Sequence, residues 1–106
     1  MLPDKKATSY AHDPALGTVV VCCEAGAQPG LAGEHDAQLL LDTKGHLVGI
    51  DVEPDTQHRL VVMLGPFEAV ASQTPARVSV AGGGRMVTLH GTAAKAVAPG
   101  GNPYVF

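Results

Sequence analysis

Two adjacent cysteines, Cys22 and Cys23, are the residues of this chain that most directly suggest redox or metal chemistry. Glu24 follows them, and His35 and Asp36 come a short loop later. The segment Thr-Val-Val-Val-Cys-Cys is typical of a strand, however, and successive side chains of a strand point to opposite faces. We therefore expect the two thiols to lie on different sides of a sheet, as small hydrophobic side chains that share no metal or redox site.

The histidines are a second possible source of chemistry. The chain has 5 histidines, and none stands two or four positions from another, so the sequence contains no local chelate. A metal site would have to combine separate segments, with nearby carboxylates. The candidate metal ligands are His35, Asp36, His46 and His58. We keep a metal-binding protein or metal-dependent enzyme as one alternative, and solvated loop histidines as the other interpretation.

Motifs for other chemistries are missing. The sequence has no GxSxG nucleophile elbow and no phosphate-binding loop that ends in Gly-Lys-Ser or Gly-Lys-Thr. The acidic run that starts at Asp51 resembles the opening of an EF-hand loop, but Thr56 stands at its glycine position and Val62 at its last acidic position. We therefore predict no catalytic residue and no cofactor.

The elements that would position these residues are strands. Gly and Pro, 13 and 8 in number, interrupt the chain at short intervals and leave no long window of helical periodicity. The predicted strands are residues 18–23, 37–42, 46–53, 59–64, 67–72, 77–81 and 85–91. We predict an all-β fold, an antiparallel sandwich or partly open barrel of about seven strands, in a single domain over residues 1–106.

Turn chemistry and alternation add detail to this fold. Residues 42–45, Asp-Thr-Lys-Gly, predict a type I turn with a left-handed glycine, and the three glycines at 82–84 predict a second hairpin. In the strand 46–53, alternation places Val48, Ile50 and Val52 in the core and Leu47 on the opposite face. Inward positions of the last two strands are Val78, Val80, Val87 and Leu89.

The C-terminal region leaves two questions. Residues 92–98 are compatible with two turns of helix and equally with an extension of the preceding strand. The tail, residues 99–106, ends in Pro-Tyr-Val-Phe, and so apolar a segment is expected to dock on its own domain or on another subunit. The predicted interface residues are Tyr104, Val105 and Phe106.

Two segments of the first half resemble a family of small bacterial domains of unknown function. That family begins with Tyr-Asp-Pro and carries an Asp-x-x-Gly-x-x-Val-Gly-Ile-Glu hairpin; here Tyr10 and Asp13-Pro14 correspond to its start, and residues 42–51 to its hairpin, with Asp51 in place of Glu. The resemblance spans about residues 10–52 and implies no catalytic residue. The Gly-x-x-Val-Gly segment at 45–49 is also similar to barrels of the PRC type.

Composition narrows the class of partner. Charged residues are 16% of the chain, against about 25% in an average domain, so we expect self-association to cover part of the surface. The net charge of −3 and the scattered cations argue against nucleic acid, and no apolar run is long enough to cross a membrane. The sequence thus predicts a cytoplasmic structural or self-association module, with a metal protein and a binder of apolar small ligands as alternatives.

Overall fold

The computed structural model describes residues 4–23, 32–53, 60–97 and residue 104. The prediction of an all-β fold is confirmed, because most of the described residues lie in strands. The described residues also include a short 3-10 helix, Phe67–Ala69. The elements are β1 (Asp4–Asp13), β2 (Thr18–Cys23), β3 (Gly33–Leu41), β4 (Leu47–Val52), β5 (Leu60–Met63), β6 (Ser72–Ala81), β7 (Met86–His90) and α1 (Gly91–Val97).

The seven strands form one sheet that curls into a barrel, in the order β1-β2-β7-β6-β3-β4-β5. Neighbouring strands are antiparallel, except that residues 4–6 of β1 run parallel to residues 61–63 of β5 and so close the ring. A ring with an odd number of strands cannot reverse direction at every step, so at least one parallel pair is required. Of the two predicted architectures, an antiparallel sandwich and a partly open barrel, the curled sheet corresponds to the barrel.

The predicted hairpins are present. The β3–β4 turn is closed by the Gly45 N–H, which donates to the Asp42 carbonyl at 3.1 Å, and by the Asp42 N–H, which donates to the His46 carbonyl at 3.0 Å. Gly45 has a φ of +82°, a conformation that glycine adopts without a steric penalty. The glycines at 82–84 likewise connect β6 to β7.

The barrel interior is the hydrophobic core, and it follows the period of two along the strands. In β2, Val19, Val21 and Cys23 are buried inside, whereas Val20 and Cys22 are half-buried on the outer face. The four predicted inward residues of β6 and β7 belong to the same core. Its largest members with almost no exposure are Leu39, Leu47, Ile50, Leu60, Leu89, Val19, Val21, Val52, Val62 and Val78.

Strand β4 departs from the predicted alternation. The pairing register shifts between Leu40, which faces Gly49, and Leu41, which faces Leu47, so Val48 is an extra residue in its strand. Because of the extra residue, strict alternation does not continue across the bulge, and the residues on one side of it face the opposite way from the direction that alternation predicts. Leu47 therefore joins the main core cluster, contrary to the expected polar side, and Val48 is buried outside that cluster.

Two further strand assignments need correction. The predicted strand at residues 67–72 is wrong: these residues begin with the 3-10 helix, in which Phe67 is 70% exposed, and β6 begins only at Ser72. The strand β1 was not predicted, because its sequence Asp-Lys-Lys-Ala-Thr-Ser-Tyr-Ala-His-Asp lacks the Val- and Leu-rich pattern of the others. The two errors offset each other, so the number of strands remains seven.

Helix α1 resolves the open question about the C-terminal segment in favour of a helix for residues 92–97, while residue 98 lies outside the described residues. Ala94 and Val97 are buried in the core, and the Tyr10 hydroxyl donates a hydrogen bond of 2.7 Å to the Val97 carbonyl. That bond satisfies one of the carbonyls that every helix leaves unpaired at its C-terminal end. Partial burial raises the pKa of Tyr10. Within the described ranges, no helix has the length and apolar character needed to span a membrane.

Candidate functional site

The two cysteines lie on opposite faces of β2, as the sequence predicts. Cys23 is buried inside the barrel, where its thiol donates to the Gly84 carbonyl at 3.2 Å. Cys22 is half-buried on the outer face, beside Met86 of β7. The two sulfur atoms therefore cannot converge on one metal ion or one substrate.

The candidate metal ligands occupy separate places. His35 and Asp36 are consecutive in β3, so His35 is half-buried on the inner side while Asp36 is exposed on the outer side. His46 lies in the β3–β4 turn, and His58 lies outside the described residues. Among the residues that the structure describes, no three His, Cys, Asp or Glu side chains are close enough to hold a metal ion. The metal site thus stays a prediction without structural support.

One group of polar side chains does converge, and we call Asp42, His46 and Tyr104 the Asp42 cluster. One carboxylate oxygen of Asp42 accepts the backbone N–H of Lys44 at 2.8 Å and that of His46 at 2.9 Å. The other accepts the Tyr104 hydroxyl at 2.8 Å and lies 3.3 Å from Nδ1 of His46. Both carboxylate oxygens are therefore occupied by partners from the same chain.

The hydrogen bonds of the Asp42 cluster shift two pKa values in opposite directions. Partial desolvation of the Asp42 carboxyl would raise its pKa, but the donors from Tyr104, His46 and Lys44 and the nearby His46 ring outweigh it and hold the pKa at about 2. The bond to Asp42 raises the pKa of Tyr104, because an ionised phenol would lose that bond and face a carboxylate. At neutral pH, Asp42 is therefore ionised and Tyr104 keeps its proton, as the hydrogen bond between them requires.

Tyr104 is also held by close packing. A Cβ atom at Gly65 would lie only 2.6 Å from the Tyr104 ring, so only a glycine lets the ring approach this corner of the chain. Tyr104, one of the predicted interface residues, is thus half-buried against its own domain. Val105, Phe106 and the rest of the tail lie outside the described residues, so the role of the tail as an interface stays a prediction.

The barrel wall is incomplete beside β6. This strand pairs with β3 along residues 72–80, but with β7 only along residues 78–81. The reason is that β7 ends at His90, where Gly91, with a φ of +57°, turns the chain into α1. In the described part of the chain, the first six residues of β6 therefore have no strand on the side away from β3.

A cavity of about 440 Å³ lies in this gap, and we call it the β6–α1 pocket. The cavity is lined by the edge of β6, by the end of β7 with the start of α1, and by residues of β3. The lining residues are Glu34, Leu39, Leu41, Thr74, Pro75, Ala76, Arg77, His90, Thr92 and Ala93. Four of them, 74–77, are consecutive, and consecutive residues of a strand can line one cavity only through the strand's edge.

Two polar side chains at the rim of the pocket, those of Arg77 and His90, have local partners. Arg77 forms an ion pair with Asp36 at 3.2 Å, in which both side chains are more than half exposed. His90 shares a hydrogen bond of 3.2 Å with the hydroxyl of Ser79. The interior is provided by Leu39, Leu41 and the alanines, so the pocket has an apolar body and a polar mouth.

Sequence reasoning did not identify this pocket, because it depends on where β7 ends relative to β6. The signals that were available are Gly91, which marks the turn into the helix, and Pro75, which is typical of an edge strand. Neither residue alone is sufficient to predict the pocket.

Comparison with known proteins does not identify the chain. No family model, no curated protein and no solved structure matches it significantly, so the resemblance of residues 10–52 to a family of small bacterial domains stays a prediction.

Proposed function

We propose that this domain is a small-molecule-binding module and that its ligand occupies the β6–α1 pocket. The observation that carries the proposal is a cavity of about 440 Å³ between a strand edge and a helix, with an apolar interior and polar groups confined to the mouth. Cavities of roughly 300–1,000 Å³ with this distribution are the usual form of a ligand site. A ligand with an apolar body and a polar end suits it best.

The proposal is tested by NMR titration of the purified protein with indole, a small apolar molecule with one hydrogen-bond donor. Amide signals of the lining residues Thr74, Ala76, Arg77, Thr92 and Ala93 are expected to shift. Ala93 is half-buried in the pocket wall, so Ala93→Leu should fill the cavity and weaken the binding at least tenfold. Ala11→Leu is the matched control, since Ala11 is exposed on β1. Equal binding by both variants, or shifts confined to other residues, would rule out the proposal.

Self-association is a second candidate function, supported by the low proportion of charged residues and by the unpaired edge of β6. Two copies could extend the sheet by pairing these edges about a twofold axis. Against this, Pro75 supplies no N–H to such a pairing. Among the described residues, the exposed large hydrophobic side chains are Leu16, Phe67 and Met86, and they lie in separate parts of the chain. Size-exclusion chromatography with light scattering decides the question, because a monomer at all concentrations would exclude this function.

A cytoplasmic location is part of the same proposal. Cys22 and Cys23 are both free thiols, and their places on opposite faces of β2 do not favour a disulfide between them. Free thiols suit a reducing compartment.

A further inference from the structure

We propose that the ligand of the β6–α1 pocket is an extended diamide, such as an N-acylated amino-acid amide, which pairs with the backbone of β6 at Pro75 and Arg77. This inference depends on the proposed function, because it names the class of ligand for the same pocket. It rests on the backbone of the strand edge, whereas the proposed function rests on the volume and apolar interior of the cavity.

Pro75 shows which backbone groups face the pocket. It lies within the continuous ladder between β6 and β3, opposite Gln38. A proline has no N–H, so it fits such a ladder when its nitrogen faces away from the paired strand. Backbone groups alternate between the two sides of a strand, and the N–H groups of Gln73 and Arg77 therefore also face away from β3, toward the gap.

These positions define a pair of hydrogen-bonding groups on the pocket side of Ala76. The Pro75 carbonyl, which precedes Ala76 along the strand, is an acceptor. The Arg77 N–H, which follows Ala76, is a donor, and both groups face the pocket. In an antiparallel ladder, such a pair binds the N–H and the C=O that flank a single residue of the opposite strand. An amino acid with an acyl group on its nitrogen and an amide at its carboxyl end carries those two groups at the required separation.

The side chain of such a ligand would enter the apolar interior. Residues directly opposite each other in a ladder point to the same face. Ala76 points to the inner face, where it packs against the core, and it lines the pocket together with Leu39 and Ala93. A branched apolar side chain opposite Ala76 would therefore fill the space that these residues line.

Other classes of ligand fit the hydrogen-bonding groups and charges of the pocket less well. A hydrocarbon would leave the two backbone groups of β6 without partners while it excludes water from them, which is costly. A simple anion would have to displace Asp36 from Arg77 and would also lie near Glu34. A diamide satisfies both backbone groups and leaves the ion pair at the mouth intact.

The test uses two probes of nearly equal shape, N-acetyl-leucine N′-methylamide and N-acetyl-leucine methyl ester. The ester replaces the N–H that would donate to the Pro75 carbonyl by an oxygen. Given the size of the probe, the amide should bind with a Kd on the order of 1 mM, which NMR titration measures. Loss of one hydrogen bond should weaken the ester about fivefold.

A variant pair tests the protein side. Arg77→Pro removes the N–H that would donate to the acetyl carbonyl, whereas Arg77→Ala removes the same side chain and keeps the N–H. Since residue 77 faces the same way as Pro75, the proline should not disturb the ladder with β3. We expect Arg77→Pro to bind the amide about fivefold more weakly than Arg77→Ala does.

The outcomes separate this inference from the proposed function. Equal affinity for amide and ester, or equal affinity of the two Arg77 variants, would overturn the pairing with β6, while binding of indole that Ala93→Leu abolishes would leave the pocket proposal standing. Binding of the amide that Ala93→Leu does not affect would overturn this inference, and binding of indole that Ala93→Leu does not affect would overturn both. If Arg77→Pro does not fold, the comparison of amide and ester on the natural protein decides alone.

Discussion

The Asp42 cluster and the β6–α1 pocket differ in how their polar groups are satisfied. In the Asp42 cluster, both oxygens of the carboxylate have partners from the same chain, at distances from 2.8 to 3.3 Å. In the pocket, the wall is the edge of a strand whose ladder with β7 begins only at Val78. Charged side chains alone would favour the Asp42 cluster as the functional site. The backbone N–H and C=O groups on the open edge of β6, beside an apolar cavity, favour the pocket instead, because polar groups that a ligand covers need hydrogen-bond partners.

Gly65→Ala should give the largest loss of stability among the changes that separate the two regions. The new methyl group would lie 2.6 Å from the Tyr104 ring, so the ring must move away from Asp42. Overpacking of this kind costs about 1–3 kcal/mol of unfolding free energy, which urea denaturation measures. Binding of indole in the β6–α1 pocket should not change, because Gly65 is not part of its lining. A loss of binding with unchanged stability would reverse the roles that we assign to the two regions.

Tyr104→Phe should lower the stability by a smaller amount, because the ring stays in place and only its hydroxyl is lost. The remaining donors to Asp42 are the backbone N–H groups and His46, so the pKa of Asp42 should rise from about 2 toward its ordinary value of 3.8. Unfolding by urea and an NMR titration of the carboxyl group measure the two effects. An unchanged pKa of Asp42 would show that the hydrogen bond at 2.8 Å does not form in solution.

The pH dependence of stability follows from the same carboxyl group. The pKa of Asp42 is lower in the folded protein than its ordinary value of 3.8, so its contribution to stability is present above about pH 4 and is lost as the pH falls toward 2. Asp42→Asn should be less stable than the natural protein at pH 7, and the difference should shrink between pH 4 and pH 2. A difference that stays constant over this range would contradict the assignment.

Arg77→Ala should have the smallest effect on stability. The ion pair with Asp36 is exposed, with 63% and 91% of the two side chains accessible to solvent, and such pairs contribute about 0–1 kcal/mol. Thermal unfolding should therefore be nearly unchanged, and the remaining effect should decrease with added salt. A loss of more than about 2 kcal/mol would mean that the rim of the pocket has a structural role.

The sequence predicts the part of the fold that depends on local signals. The Val-rich period of two in β2, the Asp-Thr-Lys-Gly turn before His46 and the three glycines after Ala81 each determine a strand or a hairpin, and all are present. The opposite directions of Cys22 and Cys23 follow from the same period. Strand β1 is different, because its polar sequence takes its conformation from its neighbours β2 and β5.

The two candidate sites depend on contacts that no local signal contains. Tyr104 reaches Asp42 across 62 residues of sequence, and the space for its ring exists because residue 65 is a glycine. The pocket exists because β7 is five residues long while β6 is ten, so that one neighbour ends before the other. The bulge at Val48 also depends on a contact between strands, because it can be recognised only when the register of β4 with β3 is known.

Residue-resolved amide hydrogen exchange by NMR tests most directly whether β6 has an open edge. Thr74 and Ala76 donate toward β3 and should be protected, whereas Gln73 and Arg77 face the gap and should exchange much faster. Addition of N-acetyl-leucine N′-methylamide should slow the exchange of Arg77 in particular. Protection of Gln73 and Arg77 equal to that of Thr74 and Ala76, in the absence of any ligand, would show that this edge is already paired and would contradict the account.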